Sequence, residues 1–283
     1  MSSQTPFASS DSWVILSALE RSIRSKIKRL GTPLKQWGIR INRGILTGYN
    51  EAFIVSTETK DELIATDPKS AEIIRPILRG RDIKRYQYSF ADLWLINVHN
   101  GIKSQKLPPI NIDEYPAVKA HLEQFYPQLA KRADKGETPY NLRNCVYMND
   151  FFEQKIVWGN LCLSSQFTLA EEGYFINAPS PMIVPGNKYI LAVLNSRLGD
   201  WYIRQLGVTR NGGYFEYKPM FVEQLPVPLI PEDKQAEFIR LVDQVLIAKK
   251  RSESSALLEY EIDRLVYSLY DLTEAEIHYI MEN

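Results

Sequence analysis

The chain has 283 residues, 45% of them apolar and 24% charged, the composition of a folded protein with one large or two modest domains rather than a disordered chain. No run of about 18 apolar residues is present, which excludes a membrane-spanning helix, and residues 1–10 lack the basic–apolar–small layout of a signal peptide. The formal net charge is zero, with 34 basic and 34 acidic side chains, but they are unevenly spread: from Leu229 onward 12 acidic residues face 6 basic ones, so the tail stands at −6 and the rest at +6.

In chain order, residues 13–30 carry Trp13, Leu16, Ile23, Ile27 and Leu30 at helical steps, with Ser12 as N-cap and Gly31 as stop. Arg21, Arg24 and Lys28 lie on the opposite side. Residues 21–43 hold eight basic side chains and no acid, a local charge that suits a phosphate backbone as well as it suits a solvated helix face. Residues 33–228 alternate short apolar runs with Gly, Pro and Asn punctuation. Strands are expected at 52–55, 93–98, 155–161, 167–169 and 182–184, and helices at 70–77, 117–129 and 189–206. Beyond Pro226, Pro228 and Pro231 the chain turns helical, with one helix opened by Pro231, a second over 255–270, and a last short one behind the capping box Thr273–Glu276. The expected organisation is an N-terminal helix (1–31), a recognition domain (32–228) and a C-terminal helical unit (229–283). The fold class expected is α/β, built on a mixed sheet.

Little in the sequence carries chemistry. Neither an N-P-P-Y string nor a Gly-rich loop for a methyl donor is present, and no G-x-x-x-x-G-K-[ST] phosphate loop. His99, His121 and His278, with Cys145 and Cys162, have no metal-ligand spacing, and the two thiols read as buried and free. Glu153-Gln154-Lys155 at a strand start is the one nuclease-like string. It would need an upstream carboxylate such as Asp134 to hold magnesium, and Asp150 stands too close in sequence.

Three segments and a fourth between them have the composition of DNA-facing loops. In 42–51, glycines at 44 and 48 permit tight turns, while Arg43, Thr47, Tyr49 and Asn50 offer donors to phosphates or base edges. In 78–86, Arg79, Arg81, Lys84 and Arg85 can grip phosphates or guanine, and Asp82 can orient one arginine. In 209–214, Asn-Gly-Gly demands positive φ and exposes Arg210 and Asn211, the latter suited to adenine. Between them, 138–145 adds Tyr140, Arg143 and Asn144. Hairpin decoration and surface salt bridges are the plain alternatives for each.

Taken in order, the strings GILTGYNEAF (44–53), ILRGRDIKRY (77–86), TPYNLRNCVY (138–147), KIVW (155–158), LNS (194–196), EQLPVP (223–228) and EIDRLVYSLYDLTEAE (261–276) resemble the TaqI-like C-terminal specificity domain. That domain is the target-recognition half of adenine-specific DNA methyltransferases and type IIG restriction–modification enzymes. The resemblance implies sequence-specific recognition of double-stranded DNA, with no cofactor in this chain. It further implies a methyltransferase domain or subunit as partner, S-adenosylmethionine (and magnesium where a nuclease is present) bound by that partner, no membrane, and a cytoplasmic location. Family members carry the methyltransferase ahead of this region, so the chain is expected to be a detached specificity fragment or subunit. A magnesium nuclease built on Glu153 and Lys155, and a protein-interaction module, are the rival expectations.

Overall fold

A computed structural model of the chain describes residues 17–283. Trp13, Leu16 and the Ser12 cap fall outside them. The first described helix is Ala18–Leu30, and its start is set by Ser17, which makes a capping box with Glu20. Its stripe Ile23 and Ile27 is fully buried, and Gly31 closes it by donating to the Ile27 carbonyl at 3.0 Å. Arg24, expected on the solvent side, instead lies 5.9 Å over the Trp201 ring.

The organising element is a four-stranded antiparallel sheet in the order Phe167–Ala170, Lys155–Trp158, Pro181–Val184, Arg40–Arg43. Side chains alternate across a strand, so this sheet feeds two separate apolar cores. Ile156, Trp158, Ile183 and Phe167 point to one; Val157, Met182, Val184 and Ala170 point to the other. Burial on both faces explains why KIVW and PMIV read as unbroken apolar runs rather than alternating ones.

The first core is mostly helical. It joins the N-terminal helix to Lys188–Asn195, Arg197–Arg204, Glu232–Lys250, Ala256–Leu269 and Glu274–Glu282. The second core fills the space between the central sheet and a mixed sheet ordered Phe175–Ile176, Ile74–Leu78, Leu93–Ile96, Ile54–Ser56, in which only the first pair is parallel. A third, three-stranded sheet, Thr209–Arg210, Tyr214–Glu216, Leu161–Cys162, projects from the first core. The mixed α/β class expected from the sequence is the class observed.

Local expectations fail where proline or a capping side chain intervenes. Residues 70–77 are not helical: a 3₁₀ turn Pro68–Glu72 leads into the strand Ile74–Leu78. Pro76 would remove a helical hydrogen bond and clash one turn back, whereas here it sits in the strand opposite Trp94. Residues 52–55 split into a helical turn, Asn50–Phe53, and the strand Ile54–Ser56. Helix 117–129 divides into Pro116–Glu123 and Tyr126–Lys131, with Pro127 in the first turn of the second. Helix 189–206 breaks at Ser196, which ends one helix and caps the next by accepting from the Gly199 amide. The break has a use. Asn195, just before it, pairs its buried amide with both backbone groups of Phe167, at 3.0 and 2.9 Å, and so fixes the helices to the edge of the central sheet.

Candidate nucleic-acid interface

The strand Ile74–Leu78 ends in the tight turn Gly80–Asp82. Asp82 builds that turn: its carboxylate accepts from the Arg79 amide at 2.8 Å and from the Arg79 guanidinium at 2.9 and 2.7 Å. Burial alone would raise the Asp82 carboxyl, but the Arg79 hydrogen bonds win and hold it below its ordinary value. Arg79 is thus the arginine that Asp82 orients. Its neighbours Arg81 and Lys84 are exposed.

These three cations line a cavity of about 560 Å³. Residues 159–163, residues 177–180 and Tyr214 line it as well. The hairpin bearing Tyr214 turns through Gly212 and Gly213 at φ +79° and +78°, the positive values expected of Asn-Gly-Gly. Arg210, on the same outward face as Tyr214, is paired with Glu216, which also binds Lys218 at 3.0 Å. Asn211 is exposed at the tip of this turn.

The first segment reaches the same region at Ser180, which lines the cavity. The Gly44 amide donates to Ser180 O at 2.7 Å, and a Cβ at Gly44 would stand 2.3 Å from the Ile176 carbonyl, so only glycine lets the chain cross here. Arg43, exposed one residue earlier, lies beside Tyr147; burial raises the Tyr147 hydroxyl and the Arg43 charge opposes that rise. Segments 42–51 and 138–147 are tied together by Arg132. Its guanidinium donates to the carbonyls of Thr47, Pro139 (2.8 Å), Asn141 (2.9 Å) and Asp134 (3.2 Å). Arg143 pairs with Asp134 at 2.7 Å, and Asn144 is exposed beside it. Tyr49 is half-buried against Phe125, with its hydroxyl donating to Glu51 at 2.5 Å. Asn50 is exposed, but its amide oxygen accepts from Thr47.

The candidates therefore fall into two neighbouring groups. Arg79, Arg81, Lys84, Arg210 and Asn211 surround the cavity or sit on its hairpin; Arg43, Tyr49, Asn50, Arg143 and Asn144 cluster around the Arg132 staple. Two expectations need correction. Thr47 is only 2% exposed, and its hydroxyl is spent on Asn50. Arg85 is the first residue of the two-residue turn between the paired strands Ile83–Lys84 and Gln87–Tyr88, and that turn faces the C-terminal helices. It bonds Asn195 O and Glu259 of the C-terminal helices, and lines a different cavity with Glu253 and Asp263. Its charge is spent on that ion pair rather than offered to a phosphate.

Sequence reasoning missed residues 159–166. Gly159-Asn160 ends the strand Lys155–Trp158, and the chain re-emerges as the separate short strand Leu161–Cys162. This stretch places Asn160, Leu163 and Gln166 on the cavity. The Gly-Asn pair was the available signal, overridden by the apolar residues on both sides of it. Arg132 was missed as well, because nothing local marks a guanidinium that folds back onto carbonyls up to 85 positions away.

The nuclease string does not assemble. Lys155 is fully buried and donates inward to Glu171 O at 2.9 Å, whereas Glu153 is exposed and paired with Arg40 at 2.7 Å. Asp150 accepts from Arg40 and Asn42, and Asp134 is held by Arg143. Among the described residues no group of three or more His, Cys, Asp or Glu side chains is placed to hold a metal. Cys145 and Cys162 are buried free thiols, both pushed up to about 11 by burial.

The model of the TaqI-like C-terminal specificity domain matches residues 75–227, more than half of the chain. This chain belongs to the TaqI-like specificity domain family. The match spans the whole cavity: Arg79, Arg81, Lys84, the 159–166 stretch and the Tyr214 hairpin all lie within it. The function that goes with membership is DNA target recognition in restriction–modification. The fold is also that of part of the type IIL restriction–modification enzyme MmeI, solved in complex with DNA. The two superimpose with a TM-score of 0.68 at 14% identity over 89% of this chain and 36% of that one. The type IIG restriction endonuclease BpuSI is similar with a TM-score of 0.48 at 14% identity, over 90% of this chain and 33% of that one. The chain thus spans about a third of each of these enzymes. No helix among the described residues is long and apolar enough to cross a membrane.

Proposed function

We propose that this specificity domain docks double-stranded DNA across the face formed by the cavity and the Arg132-stapled segments, and selects the bases at which a partner acts. The observation that carries this is the placing of Arg79, Arg81 and Lys84 in a single cavity within the family-matched region. Exposed Arg81, Lys84, Arg43 and Arg143 hold phosphates and fix register. Arg79, already aimed by Asp82, presents a pre-set fork to a guanine edge or a phosphate. The amides of Asn160, Gln166 and Asn211 supply paired donors and acceptors for base edges. The partner in this reading is an adenine-N6 methyltransferase domain or subunit in the cytoplasm. It, and not this chain, holds S-adenosylmethionine, or magnesium where a nuclease is attached. Base extrusion and methyl transfer belong to that partner.

Selection of duplexes from a randomised pool by the purified chain tests this directly. One short consensus is the expected result. A retained pool with no enriched sequence, at salt low enough for binding, would contradict target recognition by this chain.

A further inference from the structure

We propose that Leu161, on the outward face of the small three-stranded sheet, and Leu163, in the bend that follows it, read the 5-methyl group of a thymine in the major groove. The inference rests on the target-recognition reading above and adds a chemical class of base to it. Leu161 stands directly opposite Glu216, and Cys162 opposite Phe215. Side chains alternate along a strand, so Cys162 and Phe215 turn into the core while Leu161 and Tyr214 share the outer face, and Leu163 lies in the bend just past the strand. Leu161 is 51% exposed, Leu163 54% and Tyr214 43%. All three line the same cavity as Arg79, Arg81 and Lys84.

Leucines left half in water are ordinary when scattered, but two that share one cavity with three cations form a built surface. The charge in the cavity says what covers it. A polyanion is drawn in by the three cations, and the part of a duplex that then meets an apolar patch is the thymine methyl, the one apolar group on the major-groove edge of the bases. Asn160 and Gln166, flanking the leucines, are placed to bind the polar atoms of the same or the adjacent base pair.

The test uses duplexes enriched by the full chain from a randomised pool, in which each thymine is replaced in turn by uracil. This removes the methyl group and nothing else. At one or more positions, uracil is expected to weaken binding about fourfold, the effect of losing one buried methyl group. The variant Leu161→Asn/Leu163→Asn is expected to bind thymine and uracil duplexes alike at those positions, with an unchanged Tm because both side chains are exposed. If a consensus is bound but no thymine is methyl-sensitive, or the double variant keeps the sensitivity, the leucine assignment is wrong while target recognition stands. If no duplex is enriched at all, both fall.

Discussion

Arg132 is the side chain on which the second group of DNA-facing segments depends, and its replacement by methionine measures that dependence. The guanidinium is 7% exposed and lies 4.6 Å over the Phe53 ring. Of its carbonyl partners, Asn141 O also accepts from the Gly136 amide and Asp134 O is distant at 3.2 Å, which leaves Thr47 O and Pro139 O as the groups that Arg132→Met strands. Each buried carbonyl left without a donor costs about 1–3 kcal/mol, and the lost stacking on Phe53 adds about 1 kcal/mol. Against this stands the cost of burying the cation, visible as an arginine pulled down to about 10; relief of that cost, about 3 kcal/mol, leaves a net loss of about 2 kcal/mol. Urea unfolding of the full chain should show this loss. Hydrogen exchange should localise it to residues 43–50 and 138–144, and affinity for the selected duplex should fall with it. An unchanged midpoint together with unchanged exchange in both segments would refute the staple.

Three further outcomes are expected. Glu276 ties the last helix to the first: it accepts from Ser22 and Lys26, both at 2.6 Å, and from the Thr273 amide at 2.8 Å. Burial alone would raise its carboxyl, but these donors hold it at about 2. A depressed carboxylate stabilises above its unfolded value and loses that stabilisation as pH falls, so Glu276→Gln should cost about 2–3 kcal/mol at pH 7 and nearly nothing by pH 2 in denaturation curves. Lys155, buried in the central sheet, is pulled down to about 8. The unfolded chain holds that proton more tightly, so stability should rise between about pH 8 and pH 10.5. Lys155→Met should be about 2 kcal/mol more stable than the parent at pH 7 and should lack the rise; a parent whose stability does not respond to pH over that range would contradict it. Gly44→Ala drives a methyl against the Ile176 carbonyl, and should lower Tm by several degrees and weaken DNA binding together.

Elements buried on both faces were legible in the sequence, because KIVW and PMIV need no alternation to announce a central strand. The Thr273–Glu276 capping box was legible because it is local. The arginine-rich turn was legible as a turn, and Asp82 as its organiser, for the same reason. The division of labour between Lys84 and Arg85 was not: Lys84 ends a short strand and Arg85 opens the turn after it, held by a glutamate 174 positions away in the C-terminal helices. Thr47 read as a donor for DNA until its neighbours at Asn50 and Arg132 were in place. The 159–166 stretch hid inside an apolar run, since its pairing partner, the Tyr214–Glu216 strand, lies more than 50 positions on. Long-range pairing, which no window of sequence contains, is what separated the candidate residues into those facing the cavity and those turned from it.

The central claim is that the cations lining the cavity meet DNA phosphates, and the salt dependence of binding tests it most directly. Affinity for the selected duplex should be followed from about 50 to about 200 mM salt for the parent chain and for Arg81→Ala/Lys84→Ala. If both side chains neutralise phosphates, the slope of log affinity against log salt should fall in magnitude by about 1.8, close to 0.9 for each contact. A double variant with the parent's slope and affinity would place the DNA on some other face of the protein.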